Sequence, residues 1–518
     1  MTTTEETFIY PTHQAMVSDL SIAGRKLSEI TKEIQSLYLS DQRLWIIGFS
    51  GGKDSTTILS LIYNALLELP KDKLTKHIYV VSSDTLVETP VVVDIILSVL
   101  DRINQQAVAD HLPMTAHPVR PKPDQTFWVN LLGRGYPAPT QTFRWCTERM
   151  KINPVSEFIL DKVATFGEVI VVLGSRSLES SSRAQVIANH QIKGSLLSRH
   201  SSLPNAFTYM PIATWSADEV WEYLMSAPCP WEGTNRQLFE LYKGSNAGEC
   251  PLVIDTSTPS CGNSRFGCWT CTVVTKDKAI EGLIQTGETW MQPILDFRNE
   301  LHFSTLPENK PTYRNYKRRI GKVSYIKGEI TEEKNTQAKH IPGPYWMSVR
   351  KKWLEQLLKI EKDICDSARK IELIQKDELK QIRQFWLRDP NEPDWADSLP
   401  AIYRSVYGKD LNWVENDAGA FTEPDAILLK EIESEHGAPA EMVMKLIDLE
   451  LAMTGLSRRT GILTKIETVL KQDWGTLEDI NQRNTAPEMK NIYHDKLADL
   501  KQRYERIKSN DFRVIKSN

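Results

Sequence analysis

The amino-acid sequence predicts an α/β fold, in which a parallel-sheet domain is followed by a mostly helical C-terminal region. Apolar runs typical of buried strands alternate with helical patterns over the ~180 residues that follow residue 40. Three of these runs, Leu44–Phe49, Ile78–Ser82 and Glu168–Leu173, each precede a polar motif. Alternation of this kind indicates parallel strands joined by crossover helices, and we therefore expect the three motifs to meet at the carboxyl edge of the sheet.

The other elements of this domain follow in chain order. An apolar stripe after residue 56 predicts a helix, as do the patterns of Val91–Leu100 and Val155–Phe166. Met114–Val119 has the composition of a short strand. Ser216, with Glu219 three residues later, predicts an N-cap and a helix directly after it.

Changes of pattern divide the chain into four regions. Ser348–Arg388 predicts one or two long helices, whereas Asp389–Leu411, which holds three prolines, predicts a linker or loop. We expect a helical N-terminal lead-in, the α/β domain with a cysteine cluster, a basic linker with long helices, and a C-terminal helical region. These span residues 1–40, 41–285, 286–395 and 396–518.

Composition and charge exclude several functional classes. The net charge of −4 and the pI of about 6.3 argue against a uniformly basic nucleic-acid binder, although they are compatible with a local basic groove. No stretch approaches roughly 18 apolar residues, and the polar N-terminus lacks a signal-peptide pattern, so we expect a cytoplasmic protein without a membrane span. The seven cysteines of such a protein indicate metal or redox chemistry rather than disulfides.

Residues 50–56, Ser-Gly-Gly-Lys-Asp-Ser-Thr, form the most informative motif of the chain. They stand between a predicted strand and a predicted helix. Glycines there let the backbone approach an anion, and the N–H groups of the first helical turn point at it. The spacing differs from that of the P-loop NTPases. The alternative is a plain Gly-Gly turn, but the context favours a phosphate site in which Lys53 offsets developing charge.

This motif resembles the PP-loop of the ATP pyrophosphatases, which have an adenine nucleotide alpha hydrolase-like fold and bind the β,γ-pyrophosphate of ATP with Ser-Gly-Gly-x-Asp-Ser. The resemblance implies cleavage of ATP between the α and β phosphates, with Lys53 and Asp54 as catalytic residues and Mg as a cofactor. Asp54 would be either a magnesium ligand or a helix-start carboxylate. The implied ATP-binding residues are Ser50, Gly51, Gly52, Lys53, Asp54, Ser55, Thr56, Ser83, Asp84, Gly174, Arg176 and Arg183.

Three further segments resemble the PAPS reductase branch of this family. Gly174 begins a Gly-x-Arg-x-x-Glu-Ser-x-x-Arg segment, in which Arg176 and Arg183 carry the guanidinium forks that match phosphate oxygens. Tyr209–Trp221 contains Pro-Ile-x-x-Trp-x-x-x-x-Val-Trp, and Arg144–Lys151 contains the Arg-Trp-Cys-Thr that borders the nucleotide in that branch. Each segment alone has a simpler interpretation, such as a salt-bridging loop or an ordinary capped helix.

Four cysteines lie close together near residue 260, and the last two form Cys-Trp-Thr-Cys beside glycines. Four thiolates of this kind suit a structural zinc ion, a redox dithiol or an iron–sulfur cluster. We favour a four-iron four-sulfur cluster because sulfur-transferring relatives of this fold use one. The predicted ligands are Cys250, Cys261, Cys268 and Cys271.

The other three cysteines lie outside this group. Cys146 is a cluster ligand, a catalytic thiolate that carries sulfur, or a wall of the site. Cys229 and Cys365 have no motif around them, and we expect both to be small buried side chains.

The full set of motifs is similar to the sulfurtransferases of bacterial DNA phosphorothioation. The similarity is carried by Gly248–Val253, by Ser260–Val274 and by Ile341–Trp346, and it covers roughly residues 15–460. It implies an enzyme that replaces a non-bridging phosphate oxygen of DNA by sulfur. The implied partners are DNA, a cysteine desulfurase of the DndA or IscS type as sulfur donor, and subunits of the DndD and DndE type.

A basic and aromatic stretch follows residue 312, and it is suited to DNA phosphates. The alternative is a solvated charged face. The predicted DNA-binding residues are Arg314, Lys317, Arg318, Arg319 and Lys322.

Three other functions compete with the phosphorothioation hypothesis. A PAPS or APS reductase is disfavoured because Cys365 is the last cysteine, so no C-terminal nucleophilic cysteine motif is present. A tRNA thiolase would use a similar loop and cluster. A nucleotide-sensing subunit with a degenerate site is disfavoured by the intact loop.

Overall fold

The computed structural model describes residues 20–179, 181–239, 267–326, 340–367, 369–414, 423–452 and 461–485, together with residues 498, 499 and 502. The chain divides into two compact units. The first comprises Met1–Phe127, Ala138–Phe303 and Asp363–Ile374, and the second comprises Trp128–Pro137, Ser304–Lys362 and Gln375–Asn518. Within the described ranges, no helix has the length and apolar character that a membrane crossing requires.

In the part of the chain that the structure describes, the first unit contains a six-stranded, mostly parallel sheet, which confirms the predicted fold class. Strands β1 (Ser21–Ile22) and β2 (Arg25–Lys26) form a separate hairpin ahead of it. The strand order in the sheet is β5-β4-β3-β6-β8-β7, and only β7 runs antiparallel to its neighbour. Its strands are β3 (Leu44–Gly48), β4 (Ile78–Ser83), β5 (Met114–Val119), β6 (Val169–Val172), β7 (Leu197–Arg199) and β8 (Ala206–Tyr209).

The chain order places a topological switch point between β3 and β6. The chain runs outward from β3 to β4 and β5, and then returns to the other side of β3 with β6. Trp45 of β3 accordingly pairs with Ile78 of β4 on one side and Ile170 of β6 on the other. Ligands of open α/β sheets bind at the carboxyl ends of the strands at such a point.

Both faces of the sheet are buried, which explains why its strands read as continuous apolar runs. Ile47 and Trp45 of β3 pack in one core with Ile62, whereas Ile46 packs on the opposite face with Ile159. Successive side chains of a strand point to opposite faces, so both faces need apolar residues when helices cover each of them.

The helices predicted after residue 56, at Val91–Leu100, at Val155–Phe166 and after Ser216 are observed, whereas Ser181–His190, Lys278–Gln285 and Gln292–Phe303 were not predicted. The N-cap prediction is confirmed, because the Glu219 N–H donates to Ser216 Oγ at 3.2 Å and the Ser216 N–H donates to Glu219 Oε2 at 2.6 Å. The helices of eight or more residues described in this unit are Leu27–Leu39, Lys53–Leu67, Pro90–Ala109, Asn153–Phe166, Ser181–His190, Ala217–Ser226, Lys278–Gln285 and Gln292–Phe303.

Helices also dominate what the structure describes after residue 340. Ser348–Arg388, for which one or two long helices were predicted, contains two. The helices are Met347–Asp366, Lys376–Leu387, Ser398–Tyr407, Glu423–His436, Ala440–Ala452, Ile462–Leu470 and Leu477–Thr485.

Two predictions about this region were wrong. Asp389–Leu411 is not simply a linker or loop, since it contains the helix Ser398–Tyr407. Pro400 is the third residue of that helix, where a missing N–H costs no intrahelical hydrogen bond. Cys365 is exposed rather than buried, and its thiol donates to the Ile371 carbonyl at 3.3 Å.

Candidate active site

The phosphate loop connects β3 to the helix Lys53–Leu67. Ser55 organises it, since its hydroxyl donates to the Gly52 carbonyl at 3.0 Å and accepts from the Ser50 N–H at 3.2 Å. The two serine hydroxyls lie 3.1 Å apart. Gly52 is the N-cap of the helix and has no side chain with which to accept from the first turn. The positive end of the helix dipole is therefore presented at the loop, as an anion site requires.

Two glycines allow neighbouring segments to approach this loop. Gly51 has a φ of +71°, and a Cβ atom there would lie 2.9 Å from Cγ1 of Ile96. At Gly174, which follows β6, a Cβ atom would lie 2.9 Å from the backbone carbonyl carbon of Asp54. The loop after β6 thus packs directly on the first turn of the phosphate-loop helix, which no larger residue would permit without a backbone shift.

Lys53, Asp54 and Arg176 form a buried charged group at this contact. Arg176 Nε donates to Asp54 Oδ1, and Lys53 Nζ lies 3.6 Å from Asp54 Oδ2. The side chains of Asp54 and Arg176 are only 10% and 5% exposed. Burial lowers the pKa of Lys53, and the Asp54 carboxylate opposes that shift. Two cations and one carboxylate leave one net positive charge, which suits a polyphosphate.

The end of β4 provides a second set of polar groups. The Asp84 carboxylate is occupied within the fold, because Oδ1 accepts from the Leu86 N–H at 3.0 Å and Oδ2 accepts from Arg120 Nε at 2.8 Å. The Ser83 hydroxyl, in contrast, is buried and has no hydrogen-bond partner among the described residues. A buried hydroxyl without a partner is costly, so Ser83 is the better candidate of the two for contact with a bound nucleotide.

The Cys-x-x-Cys segment is fastened to the residues that follow β4. The Cys271 N–H donates to the Cys268 carbonyl at 3.0 Å, which closes the turn. The Trp269 N–H donates to the Val87 carbonyl at 3.0 Å, and the Thr89 N–H and hydroxyl both donate to the Gly267 carbonyl, at 3.1 and 2.9 Å. The two cysteines are therefore held at the same sheet edge as the phosphate loop, one strand away.

Cys268 lies among charged and polar groups. Its Sγ is 3.4 Å from Thr85 Oγ1 and 3.8 Å from Glu88 Oε1, and Glu88 is paired with Lys151 Nζ at 3.3 Å. Burial raises the pKa of the Cys268 thiol well above its usual value, and the nearby Glu88 carboxylate raises it further. Cys146 has a smaller effect on this pKa in the same direction.

A buried arginine supports the loop that leaves Cys271. Arg298 is fully buried, and its guanidinium donates to the carbonyls of Cys271 and Thr275, each at 2.8 Å, and to that of Val274. Thr272 Oγ1 also donates to the Pro139 carbonyl at 2.6 Å. These bonds hold the loop independently of any bound metal.

The donor set suits sulfur-loving metals. Within the ranges that the structure describes, no three histidine, cysteine, aspartate or glutamate side chains are arranged to hold one metal ion. Two of the predicted ligands, Cys250 and Cys261, lie outside the described residues. The thiols of Cys268 and Cys271, held in one closed turn, suit a zinc ion or an iron–sulfur cluster. Thr270, between them, has a buried hydroxyl without a described hydrogen-bond partner.

Several site residues had little or no sequence signal. Glu88 and Thr85 follow β4 but belong to no predicted ligand set, and Arg298 lies in the otherwise ordinary helix Gln292–Phe303. For Glu88 and Thr85, the only sequence feature that could have indicated a role in the site is their position shortly after the strand β4. Arg183, a predicted ATP ligand, lies in the helix Ser181–His190.

The predicted DNA-binding residues all belong to the second unit. Arg314 is largely used within the fold, since its guanidinium donates to the carbonyls of Gly343 and Pro342. Burial lowers the pKa of Arg314 to about 10. Lys317 is half-buried, whereas the three remaining residues are exposed, namely Arg318, Arg319 and Lys322.

Comparison with known proteins finds a family model that matches somewhat less than half of the chain. Residues 45–274 match the family model described as the phosphoadenosine phosphosulfate reductase domain. An uncharacterized protein of Methanocaldococcus jannaschii, MJ0066, is 27% identical over 198 residues, which are 38% of this chain and 35% of that protein. The chain thus spans about a third of the length of this curated relative.

Two solved structures are also similar to parts of the chain. One is the phosphoadenylyl-sulfate reductase of Candida auris in complex with phosphate, with 14% identity, a TM-score of 0.24, and coverage of 40% of this chain and 87% of the other. The other is the U34-tRNA thiolase NcsA of Methanococcus maripaludis with its 4Fe-4S cluster, with 13% identity, a TM-score of 0.25, and coverage of 43% and 75%. The family match and the observed sheet together show an α/β domain that is similar to the phosphoadenosine phosphosulfate reductase domain.

Proposed function

We propose that the protein is a DndC-type sulfurtransferase of DNA phosphorothioate modification, which cleaves ATP to AMP and pyrophosphate in order to activate a backbone phosphate. The observation that carries this proposal is the attachment of the Cys-x-x-Cys turn beside the phosphate loop. Thr89 and Trp269 hold that turn against the residues after β4, and β4 is the direct neighbour of β3. A thiol site and a nucleotide site at one sheet edge suit ATP-dependent sulfur transfer.

The chemistry explains why one chain would need both sites. A phosphate oxygen is too poor a leaving group for direct replacement by sulfur. In the proposed reaction, a non-bridging oxygen of the DNA phosphate attacks the α-phosphorus of ATP, and pyrophosphate leaves. Sulfide, released from the donor's persulfide by a second thiol as a disulfide forms, then attacks the DNA phosphorus. The P–O bond between that phosphorus and AMP breaks, and AMP leaves with the oxygen. The net result is a P–S bond in place of a P–O bond.

Roles for the described residues follow from their positions. The helix N-terminus, Ser50 and Lys53 would hold the pyrophosphate and offset its charge, while Asp54 orients Lys53 and Arg176. Gly51 and Gly174 would let Ile96 and the loop after β6 pack closely around the phosphate loop and so fix its position. Mg bound with ATP would add positive charge there.

The cysteines would supply the sulfur side of the reaction. Cys268 and Cys271, with Cys250 and Cys261, would hold an iron–sulfur cluster, which would supply thiophilic metal chemistry for handling sulfide. A cysteine desulfurase would provide the sulfur, and subunits of the DndD and DndE type would assist on DNA. The setting would be the cytoplasm.

The decisive experiment supplies the anaerobically purified protein with ATP, labelled sulfide and one of three candidate substrates, namely duplex DNA, tRNA or phosphoadenylyl sulfate. We expect AMP and pyrophosphate to form in equal amounts with duplex DNA, and labelled phosphorothioate dinucleotides to appear after nuclease digestion. Label in tRNA would instead identify a tRNA thiolase. Release of sulfite from phosphoadenylyl sulfate would identify a reductase. If either of these products forms while no labelled sulfur enters DNA, the proposed function is wrong.

Replacement of Cys146 tests how this thiol takes part. We expect Cys146→Ser to keep most of its iron and to lose sulfur incorporation, because Cys146 lies five positions before Lys151, which pairs with the Glu88 carboxylate beside Cys268. Iron content and labelled sulfur in DNA are measured on the same preparation. Cys229→Ser is the matched control, since Cys229 packs against the core of the same unit. A fall in iron would make Cys146 a cluster ligand, and normal sulfur incorporation would leave it a packing role.

A further inference from the structure

A tight hairpin turn in the second unit presents the most cationic stretch of the chain. The Arg318 N–H donates to the Lys322 carbonyl at 2.7 Å, and the Gly321 N–H donates to the Arg318 carbonyl at 2.8 Å. Gly321 has a φ of +75°. This is the geometry of a three-residue hairpin loop with glycine in the left-handed position. Residues 313–323 contain five arginines and lysines and no acidic residue.

The turn is braced by the rest of its unit. The Asp473 N–H donates to the Gly321 carbonyl at 2.8 Å, and Asp473 Oδ2 accepts from the Val323 N–H at 2.7 Å. Asn391 Nδ2 donates to the Arg318 carbonyl at 3.2 Å. These contacts fix both ends of the turn, so its tip is preorganised for a partner, and less ordering entropy opposes binding.

The side chains at the tip differ in what they can do. Arg319 is engaged, since it donates to the Arg134 carbonyl at 2.9 Å and lies over the Tyr136 ring. Arg318 and Lys322 are exposed on either side of Ile320, which is 65% exposed. A single exposed apolar side chain is ordinary on a protein surface. Ile320, however, lies at the tip of a braced turn between two exposed cations, and this position indicates a specific partner.

We propose that this turn enters the minor groove of duplex DNA and inserts Ile320 between base pairs, while Arg318 and Lys322 contact the flanking phosphates. Apolar wedges of this size part base steps and kink the duplex, and lysine and arginine release counterions from its backbone. The choice of DNA as the partner rests on the proposed function. The substrate of the enzyme would then be a bent or partly unstacked duplex.

Binding and base unstacking are measured together, with full-length protein, a duplex that carries 2-aminopurine, and a range of salt concentrations. We expect Ile320→Ser to weaken binding about tenfold and to abolish the fluorescence increase, with an unchanged salt slope. Lys322→Ala should lower the log–log slope by about 0.9, which is one phosphate contact. Ile320→Leu should restore both signals, since it keeps an apolar wedge.

Leu463→Ser is the matched control, because Leu463 is 46% exposed in the same unit and lies outside the turn. It should bind and unstack DNA as the wild type does. Wild-type affinity and fluorescence in Ile320→Ser would overturn the wedge, and preference of the wild type for duplex RNA would overturn the choice of DNA. If the protein unstacks DNA but no labelled sulfur enters the DNA, the Ile320 wedge is supported and the proposed function is wrong. If labelled sulfur enters DNA but Ile320→Ser binds and unstacks DNA as the wild type does, the proposed function is supported and the wedge is wrong.

Discussion

Replacement of Lys53 by alanine should reduce pyrophosphate release by a factor of about 10² or more. Lys53 is the cation nearest the start of the phosphate-loop helix, and loss of one preorganised charge contact at a reacting group costs on this scale. Release of pyrophosphate is followed in the presence of ATP and acceptor DNA. Lys73→Ala, at an exposed lysine of the same unit, is the control. A wild-type rate in Lys53→Ala would mean that this loop does not hold the pyrophosphate.

Replacement of Asp54 by alanine should affect both catalysis and protein stability. Asp54→Ala should also abolish pyrophosphate release, but it leaves Arg176 buried without its carboxylate. Breaking a buried pair in this way lowers the free energy of unfolding by about 3 kcal/mol. Thermal unfolding should therefore distinguish the two variants, with Lys53→Ala close to the wild type and Asp54→Ala clearly less stable.

Replacement of Cys268 by serine should remove the metal centre and with it all sulfur incorporation into DNA. A serine hydroxyl is a poor ligand for iron at neutral pH, and bound metal contributes to folding, so stability should fall as well. Iron, zinc and the visible absorption spectrum are measured on anaerobically purified protein, together with labelled sulfur in DNA. Cys271→Ser should behave in the same way.

Cys365→Ser is the control for these variants, since Cys365 is an exposed thiol and lies outside the candidate site. It should retain both iron and sulfur incorporation. Stoichiometric zinc without iron in the wild-type protein would replace the cluster by a structural zinc site. In that case Cys146 would be the cysteine that carries sulfur, and Cys146→Ser should lose sulfur incorporation into DNA.

The sequence by itself determined the elements whose causes are local. Continuous apolar runs identified β3, β4 and β6 because both faces of the sheet are covered. The Ser216 cap was predictable because its partner is three residues away. The short strands Leu197–Arg199 and Ala206–Tyr209 were not predicted, because three or four residues are too few to show a period.

The tertiary structure alone decided which of the predicted side chains meet. Arg176 was expected to contact phosphate, yet in the structure its guanidinium donates to Asp54, 122 positions away along the chain. Cys268 lies beside Glu88 and Thr85, and Arg298 supports its loop, although no spacing links these residues. Local periodicity reports only neighbours within a turn or a strand. Contacts across the sheet edge depend on strand order, and strand order is set by how whole elements pack.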